Sequence, residues 1–315
     1  MNVCVRILAA ALAVSLAAGP ARAADYNFTT VDGPAPNDGG THLAGINNYG
    51  SVAGVTHDAA YNVQGFFGPP GALTPLGLPF SQAAFWPYQA VITGINDYDE
   101  VLGYVPVNPR THYHGFMFEF YAGEFETFPV PWTLLGAPAR SMNDDDVIAG
   151  SFFNGPGKVS GYTLDVWNNL TALDATPTTR WTAAVGINNY GTVVGQYIAG
   201  YSPGAVTAGF LRDPDGTITL LPTPQWIGGV AVGPGGIYYN GINDWGVMVG
   251  SFLDPNNVTY GFVCDAAGNF TLIQFPGAAA TAGVVGINDG GTIVGNYLDA
   301  SGMEHGFIGS PTATP

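Results

Sequence analysis

The sequence predicts an all-β fold: a six-bladed β-propeller of four-stranded antiparallel blades, closed by an N-terminal strand that completes the last blade. Three observations lead there. One phrase recurs six times along 315 residues. Each copy divides into four short strand candidates. The last copy lacks its fourth strand, and a segment of matching sequence stands at the other end of the chain.

Aligned on its asparagine, the phrase places Asn47, Asn96, Asn143, Asn188, Asn243 and Asn288 at intervals of 49, 47, 45, 55 and 45 residues. The copies read GINNYGSVAGV, GINDYDEVLGY, SMNDDDVIAGS, GINNYGTVVGQ, GINDWGVMVGS and GINDGGTIVGN. Self-similarity at such a period marks a repeat architecture. Strand A ends at Gly-Ile-Asn. A turn such as NNYG or NDGG follows, rich in residues that tolerate positive φ. Strand B is TVVG or VMVG. Strand C opens on a small residue and an aromatic one, as in GFFG, GFMF, GYTL, GFLR, GFVC and GFIG. A second tight turn, DPDG or DAAG, leads to strand D, which usually runs into a proline that stops ladder pairing.

The sixth copy stops at HGFIGS, while YNFTTVDGP (Tyr26–Pro34) closely resembles NFTLIQFPG (Asn269–Gly277). The N-terminal segment is thus the outer strand that the last unit lacks. Such an exchange requires first and last units to meet, and a closed ring leaves no open sheet edge. Four-stranded antiparallel units of this length are propeller blades. The domain reading is a leader over 1–23 and one propeller over 24–315, with repeats near 45–93, 94–140, 141–185, 186–240, 241–285 and 286–309 plus 26–34. An open β-solenoid is the alternative, and the strand exchange argues against it.

The phrase GINDxGxVVGxY…HGF resembles the HAF family of probable extracellular repeats, named after a His-Ala-Phe triplet. HGF stands at His114–Phe116 and His305–Phe307; Gln64, Ser160, Ala208 and Tyr260 replace the histidine elsewhere. The resemblance covers essentially the whole chain after the leader. It implies export and propeller-like repeats, and it implies no defined reaction.

Export is also read from the N-terminus. Arg6 precedes an apolar run from Ile7 to Ala18, and ARA ends at Ala23, the pattern of a cleaved secretory leader. The run is too short to span a bilayer, so a secreted or periplasmic protein without membrane insertion is expected. Cys4 leaves with the leader. Cys264 is then alone, so no disulfide forms within the chain, and its apolar surroundings (GFVCDAAG) favour a buried, inert thiol. With Arg6 and Arg22 set aside, five cations face 23 acids. That balance disfavours nucleic acid and anionic membranes as partners. Only 10% of residues are charged, while 46 glycines and 24 prolines fit many turns between short strands.

In this layout the A–B and C–D turns share one rim, and the B–C and D–A loops share the other. The first rim is uniform and explained by turn geometry, Asp144, Asp145 and Asp146 included; calcium there is the sharper alternative, though one short turn offers few ligands. The second rim is long and irregular, and variation on a rigid scaffold is where function usually lives. Trp86, Trp132, Trp181 and Trp226 fall in four consecutive D–A segments, so an aromatic wall suited to sugars or apolar groups is expected, against the plainer reading that they pack between blades. Arg110, Arg180 and Arg140 map to the same rim, and arginine suits carboxylate or phosphate. Arg140 breaks the repeat on the innermost strand, which makes it the leading site residue. His112 shares a strand face with His114, and a metal site with His42, His57 or His305 is the alternative to a structural role. GYSPG around Ser202 lacks the strand-to-helix turn of a serine hydrolase.

The expected function is a secreted binding or interaction module, monomeric and without cofactor, that holds an extracellular glycan or peptide on its loop-rich rim through Trp and Arg. The alternatives are a propeller hydrolase or lyase acting on an exported polymer, and a structural surface protein with no site.

Overall fold

The computed structural model describes residues 26–35, 38–60, 62–77, 91–108, 112–119, 123–128, 139–199 and 206–312. They form an all-β, propeller-like fold of four-stranded antiparallel sheets. After β1 (Tyr26–Val31) come β2 (Gly40–Ile46), β3 (Val52–His57), β4 (Val63–Gly68) and β5 (Thr74–Leu76), then β6 (Val91–Ile95), β7 (Val101–Asn108), β8 (His112–Glu119) and β9 (Glu124–Phe128). The third and fourth repeats give β10 (Ala139–Met142), β11 (Ile148–Phe153), β12 (Val159–Leu164), β13 (Leu170–Leu173), β14 (Thr179–Ile187), β15 (Val193–Ala199), β16 (Thr207–Arg212) and β17 (Ile218–Leu220). A short hairpin, β18 (Trp226–Ile227) and β19 (Val230–Ala231), precedes β20 (Ile237–Ile242), β21 (Met248–Leu253), β22 (Thr259–Cys264) and β23 (Phe270–Ile273). The last strands are β24 (Ala280–Ile287), β25 (Ile293–Leu298) and β26 (Glu304–Pro311).

The sheet count differs from the six expected. Four sheets are separate and four-stranded: β2–β5, β6–β9, β20–β23, and β24, β25, β26 with β1. The third and fourth repeats share one sheet of eight strands, because a single parallel bridge, Val159 to Trp181, ties β12 to β14. Strand β1 lies antiparallel on β26, from Tyr26 opposite Pro311 to Val31 opposite Gly306.

The core lies between neighbouring repeats. Among the described residues, buried apolar side chains fall into six clusters, each shared by consecutive repeats. One joins the two ends of the chain: Val31 and Val294 pack with Leu43, Ile46, Val52 and Phe66. The glycine of Gly-Ile-Asn has a reason in this packing. A Cβ on Gly186 would sit 3.1 Å from the Gly241 Cα, and one on Gly286 would sit 3.3 Å from the Gly45 Cα. Innermost strands meet backbone to backbone there, which only glycine allows without displacement.

Cys264 is buried, and burial, reinforced by Asp265, pushes its thiol up to about 12. It stays protonated and unreactive at neutral pH.

Candidate functional site: the central cavity and its mouth

Every innermost strand carries a β-bulge at one position. The register slips between Leu43 and Gly45, Ile92 and Gly94, Ala139 and Ser141, Ala184 and Gly186, Tyr239 and Gly241, and Val284 and Gly286. The skipped residues are Ala44, Thr93, Arg140, Val185, Asn240 and Val285. A bulge re-aims the side chain it carries. Five of these six line a cavity of about 110 Å³ that residues of all six repeats enclose, Val185 being the exception.

Arg140 is thus the charged member of the bulge layer. It is exposed, and no described carboxylate lies within ion-pairing distance of it. Its charge acts on the phenol of Tyr162, whose oxygen is buried without a hydrogen-bond partner among the described residues. Asn240 donates to the Val284 carbonyl of the next repeat at 2.7 Å.

The A–B turns line the cavity at its mouth, Asp97, Asp144, Asp244 and Asp289 among them. The backbone N–H of Asn48 donates to Asp97 Oδ1 (2.7 Å), Asp97 to Asp144 (2.8 Å) and Asp144 to Asn189 (2.9 Å). Asn189 then donates to Asp244 (2.8 Å), Asp244 to Asp289 (2.9 Å), and Asp289 back to Asn48 (2.7 Å). The path ends where it began. A second tier runs beneath it: the amides of Asn47, Asn143, Asn188, Asn243 and Asn288 each donate to the backbone carbonyl of the equivalent asparagine in the next repeat, at 3.0–3.2 Å. Burial raises the pKa of both Asp144 and Asp289, and neighbouring carboxylates add to the rise against the hydrogen bonds they accept.

Asn96 departs from the second tier. Its amide turns back on Glu100 Oε2 at 2.5 Å. Glu100 in turn faces Asp146, whose Oδ1 is buried without a hydrogen-bond partner among the described residues. Burial first, then the charge and hydrogen bond of Glu100, then Glu119 and Asp145, raise Asp146 to about 7. The folded state therefore holds a proton that the unfolded chain releases near its ordinary value. The stability it confers is present at acid pH and is lost as pH rises toward and through 7. The pair is partly solvated, so screening shrinks the effect. Asp146→Asn keeps a residue that tolerates φ of 57°. It should match the wild type in thermal melts near pH 3, below the unfolded pKa, draw ahead as pH rises, and exceed it by about 1–2 kcal/mol at pH 8. A variant that gains nothing at pH 8 would refute the shared proton.

The other sequence-predicted residues are placed as follows. Arg180 is not among the cavity residues; its Nε donates to the Gly157 carbonyl at 2.9 Å. Positive φ at Gly157 lets that loop come close, since a Cβ there would lie 3.0 Å from Arg180 Nη2. Trp181 is half-buried against the cluster around Ile237 and Tyr239, a packing role between repeats. Trp226 is 63% exposed on its hairpin. Arg110, Trp86, Trp132 and Ser202 lie outside the described residues, as does the side chain of His112. His42 meets Glu304 at 2.8 Å and His305 meets Asp32 at 2.7 Å. Burial alone would lower the His305 pKa, but Asp32 and Asp299 outweigh it and raise it. Among the described residues, no group of three or more His, Cys, Asp or Glu side chains could hold a metal ion.

Sequence reasoning missed a feature on the uniform rim. The third position of the A–B turn is aromatic in four copies, Tyr49, Tyr98, Tyr190 and Trp245, and all four are exposed. The signal was present in NNYG, NDYD and NDWG, because turn geometry accounts for the Asn and Gly of those phrases and not for the aromatic.

No family model matches the chain, and no curated protein matches it. Among solved structures, TolB from Acinetobacter baumannii is similar in fold, with 11% identity and a TM-score of 0.55 over 83% of this chain and 64% of that one. A streptogramin B lyase gives 12% identity and 0.49 over 90% and 87%. The β-propeller domain of the Trilobed protease from Pyrococcus furiosus gives 10% and 0.48 over 85% and 95%. At such identities likeness concerns the fold alone. The sheets, together with the likeness to TolB, make this chain an all-β, propeller-like protein of four-stranded antiparallel units.

Proposed function

We propose that the chain is an exported β-propeller binding module of the HAF-repeat type, secreted or periplasmic, that holds a glycan or peptide by an acidic group in its central cavity. In this reading the propeller has six blades, the eight-stranded sheet counting as two, and β1 closes the ring as outer strand of the last. The six inter-repeat clusters and the hydrogen-bond path that returns to Asn48 support that reading. The observation that carries the function is Arg140: a guanidinium on a bulge, aimed into the cavity, without an ionic partner among the described residues. Its planar fork suits a carboxylate or phosphate bound bidentately.

The test is binding of acidic and neutral oligosaccharides and of tetra-glutamate by the mature protein. Acidic ligands should bind, and Arg140→Ala should weaken them about ten-fold, in keeping with the roughly 1.5–3 kcal/mol of a hydrogen bond to a charged group. Undiminished binding in that variant would remove Arg140 from the site. The hydrolase or lyase reading would gain only if a bound polymer were cleaved.

A further inference from the structure

Tyr49, Tyr98, Tyr190 and Trp245 are 80%, 57%, 67% and 67% exposed. Nothing in the turn backbone asks for them. The first residue of each turn caps it; Asn47 Oδ1, for example, accepts the N–H of Tyr49 and of Ser51. The fourth position carries the positive φ, at Gly50, Asp99, Asp146, Gly191, Gly246 and Gly291. The third position is free: Asp145 and Gly290 occupy it in the other copies, which keep the capping bonds to Val147 and Thr292. The exposed aromatics stand on one rim in two neighbouring pairs, Tyr49 with Tyr98 and Tyr190 with Trp245, separated by Asp145 and Gly290, and exposed apolar groups gathered on one face mark an interaction surface. One ring is fixed in place: Trp245 Nε1 donates to the Asp289 carbonyl at 3.1 Å, laying the indole across the neighbouring turn.

The charges beneath the rings have an order. Around the mouth the second turn residues read Asn48, Asp97, Asp144, then Asn189, Asp244, Asp289, the same triplet twice. Asn48 bridges Asp97 and Asp289 through its amide (2.9 and 3.0 Å), and Asn189 bridges Asp144 and Asp244 (2.7 and 3.3 Å). Between Asp97 and Asp144, and between Asp244 and Asp289, only a backbone N–H stands and no side-chain amide bridges the carboxylates among the described residues. At these two seams carboxylates are adjacent and mutually repelling. Each seam carries an aromatic from its own leading turn, Tyr98 at the first and Trp245 at the second. The molecule as a whole has a formal charge of −16, so its field draws cations.

We propose that this aromatic crown docks a cationic segment of another polypeptide, with one Arg or Lys side chain at each of the two seams. The guanidinium or ammonium group lies between the paired carboxylates and against the face of the adjoining ring, joining a charge-assisted hydrogen bond to a cation–π contact. Charge complementarity selects this occupant. A neutral sugar could use the rings but gains nothing from paired carboxylates. This surface is at the turn end of the channel and rests on residues other than Arg140.

The test is calorimetric titration of the mature protein with tetra-arginine amide, with a neutral hexasaccharide and calcium chloride in separate runs. Asp144→Asn/Asp289→Asn removes one charge from each seam; the backbone bonds to Oδ1 are kept, as asparagine already accepts them at Asn48 and Asn189, while the bridging bonds from the Asn189 and Asn48 amides to Oδ2 are given up, so a thermal melt accompanies the titration. Tetra-arginine should bind, and the double variant should weaken it at least ten-fold, as should Trp245→Ala with Tyr98→Ala. Trp167→Ala, an exposed tryptophan of a C–D turn away from the seams, should leave it unchanged. Absence of tetra-arginine binding, wild-type affinity in either double variant, or displacement of the peptide by the hexasaccharide or by millimolar calcium would overturn the proposal. Failure of tetra-glutamate to bind would refute the cavity reading alone.

Discussion

Phe262→Ala is expected to destabilise the protein by about 3–5 kcal/mol, the range for emptying a buried aromatic site, and to lower Tm by roughly 10 °C in a chain of this size. Phe262 is fully buried, with Tyr239 edge-on at 5.4 Å and Phe270 at 5.3 Å. Its place explains two residues of the repeat at once. Strand B carries a glycine opposite the aromatic of strand C: a Cβ on Gly250 would meet the Phe262 ring at 2.7 Å and the Tyr238 carbonyl at 2.0 Å. The pairs Gly54 with Phe66, Gly195 with Phe210 and Gly295 with Phe307 repeat the arrangement. Gly250→Val should therefore cost about 3 kcal/mol by overpacking. Adding Phe262→Ala should not rescue it, because the carbonyl contact remains. Urea unfolding of the three variants decides the matter; a double variant more stable than Gly250→Val would mean that the ring alone sets the glycine.

Removal of β1 should have a comparable or larger effect. A chain beginning at Asp32 loses the ladder on β26, the Phe28 contacts with Phe275 and Phe307, the Thr30 hydroxyl bond to Tyr297 at 2.9 Å, and buried Val31. Burial of Val31 is worth about 1.5–3 kcal/mol, and half-buried Phe28 adds a smaller share. The bare edge of β26 becomes a template for another chain. The expected result is a loss of about 4–6 kcal/mol with oligomers in size-exclusion chromatography. A peptide of the β1 sequence should restore the monomer. A truncated chain that stays monomeric with an unchanged melt would show that β26 does not depend on this strand.

Much of the fold was legible because its signals are local. The Asn-Asp-Gly turns, the strand B glycine and the strand C aromatic lie within one repeat, and the likeness of YNFTTV to NFTLIQ anticipates β1 beside β26. The shared eight-stranded sheet was not legible, since it rests on one bridge between Val159 and Trp181 that no pattern announces. The site was only partly legible. Arg140 stood out because it breaks the repeat, but the bulge that aims it is a slip in register and leaves no residue signature. Arg180 beside Trp181 looked like a rim cation, and the loop that engages it is positioned by Gly157, 23 residues away. The turn aromatics were visible but credited to turn geometry, which does not require them.

The bulge layer carries one further consequence. A side chain lifted out of the ladder leaves the alternation of its strand; at Thr93, Arg140 and Asn240 it lines the cavity, whereas Val185 is buried in the core and Ala44 and Val285 pack against it. Ala, Thr, Arg, Val, Asn and Val occupy the six positions without a change in the backbone around them. At the three polar positions, Thr93, Arg140 and Asn240, the lining of the cavity can be respelled one letter at a time. A descendant could exchange its ligand while leaving every strand, seam and turn intact.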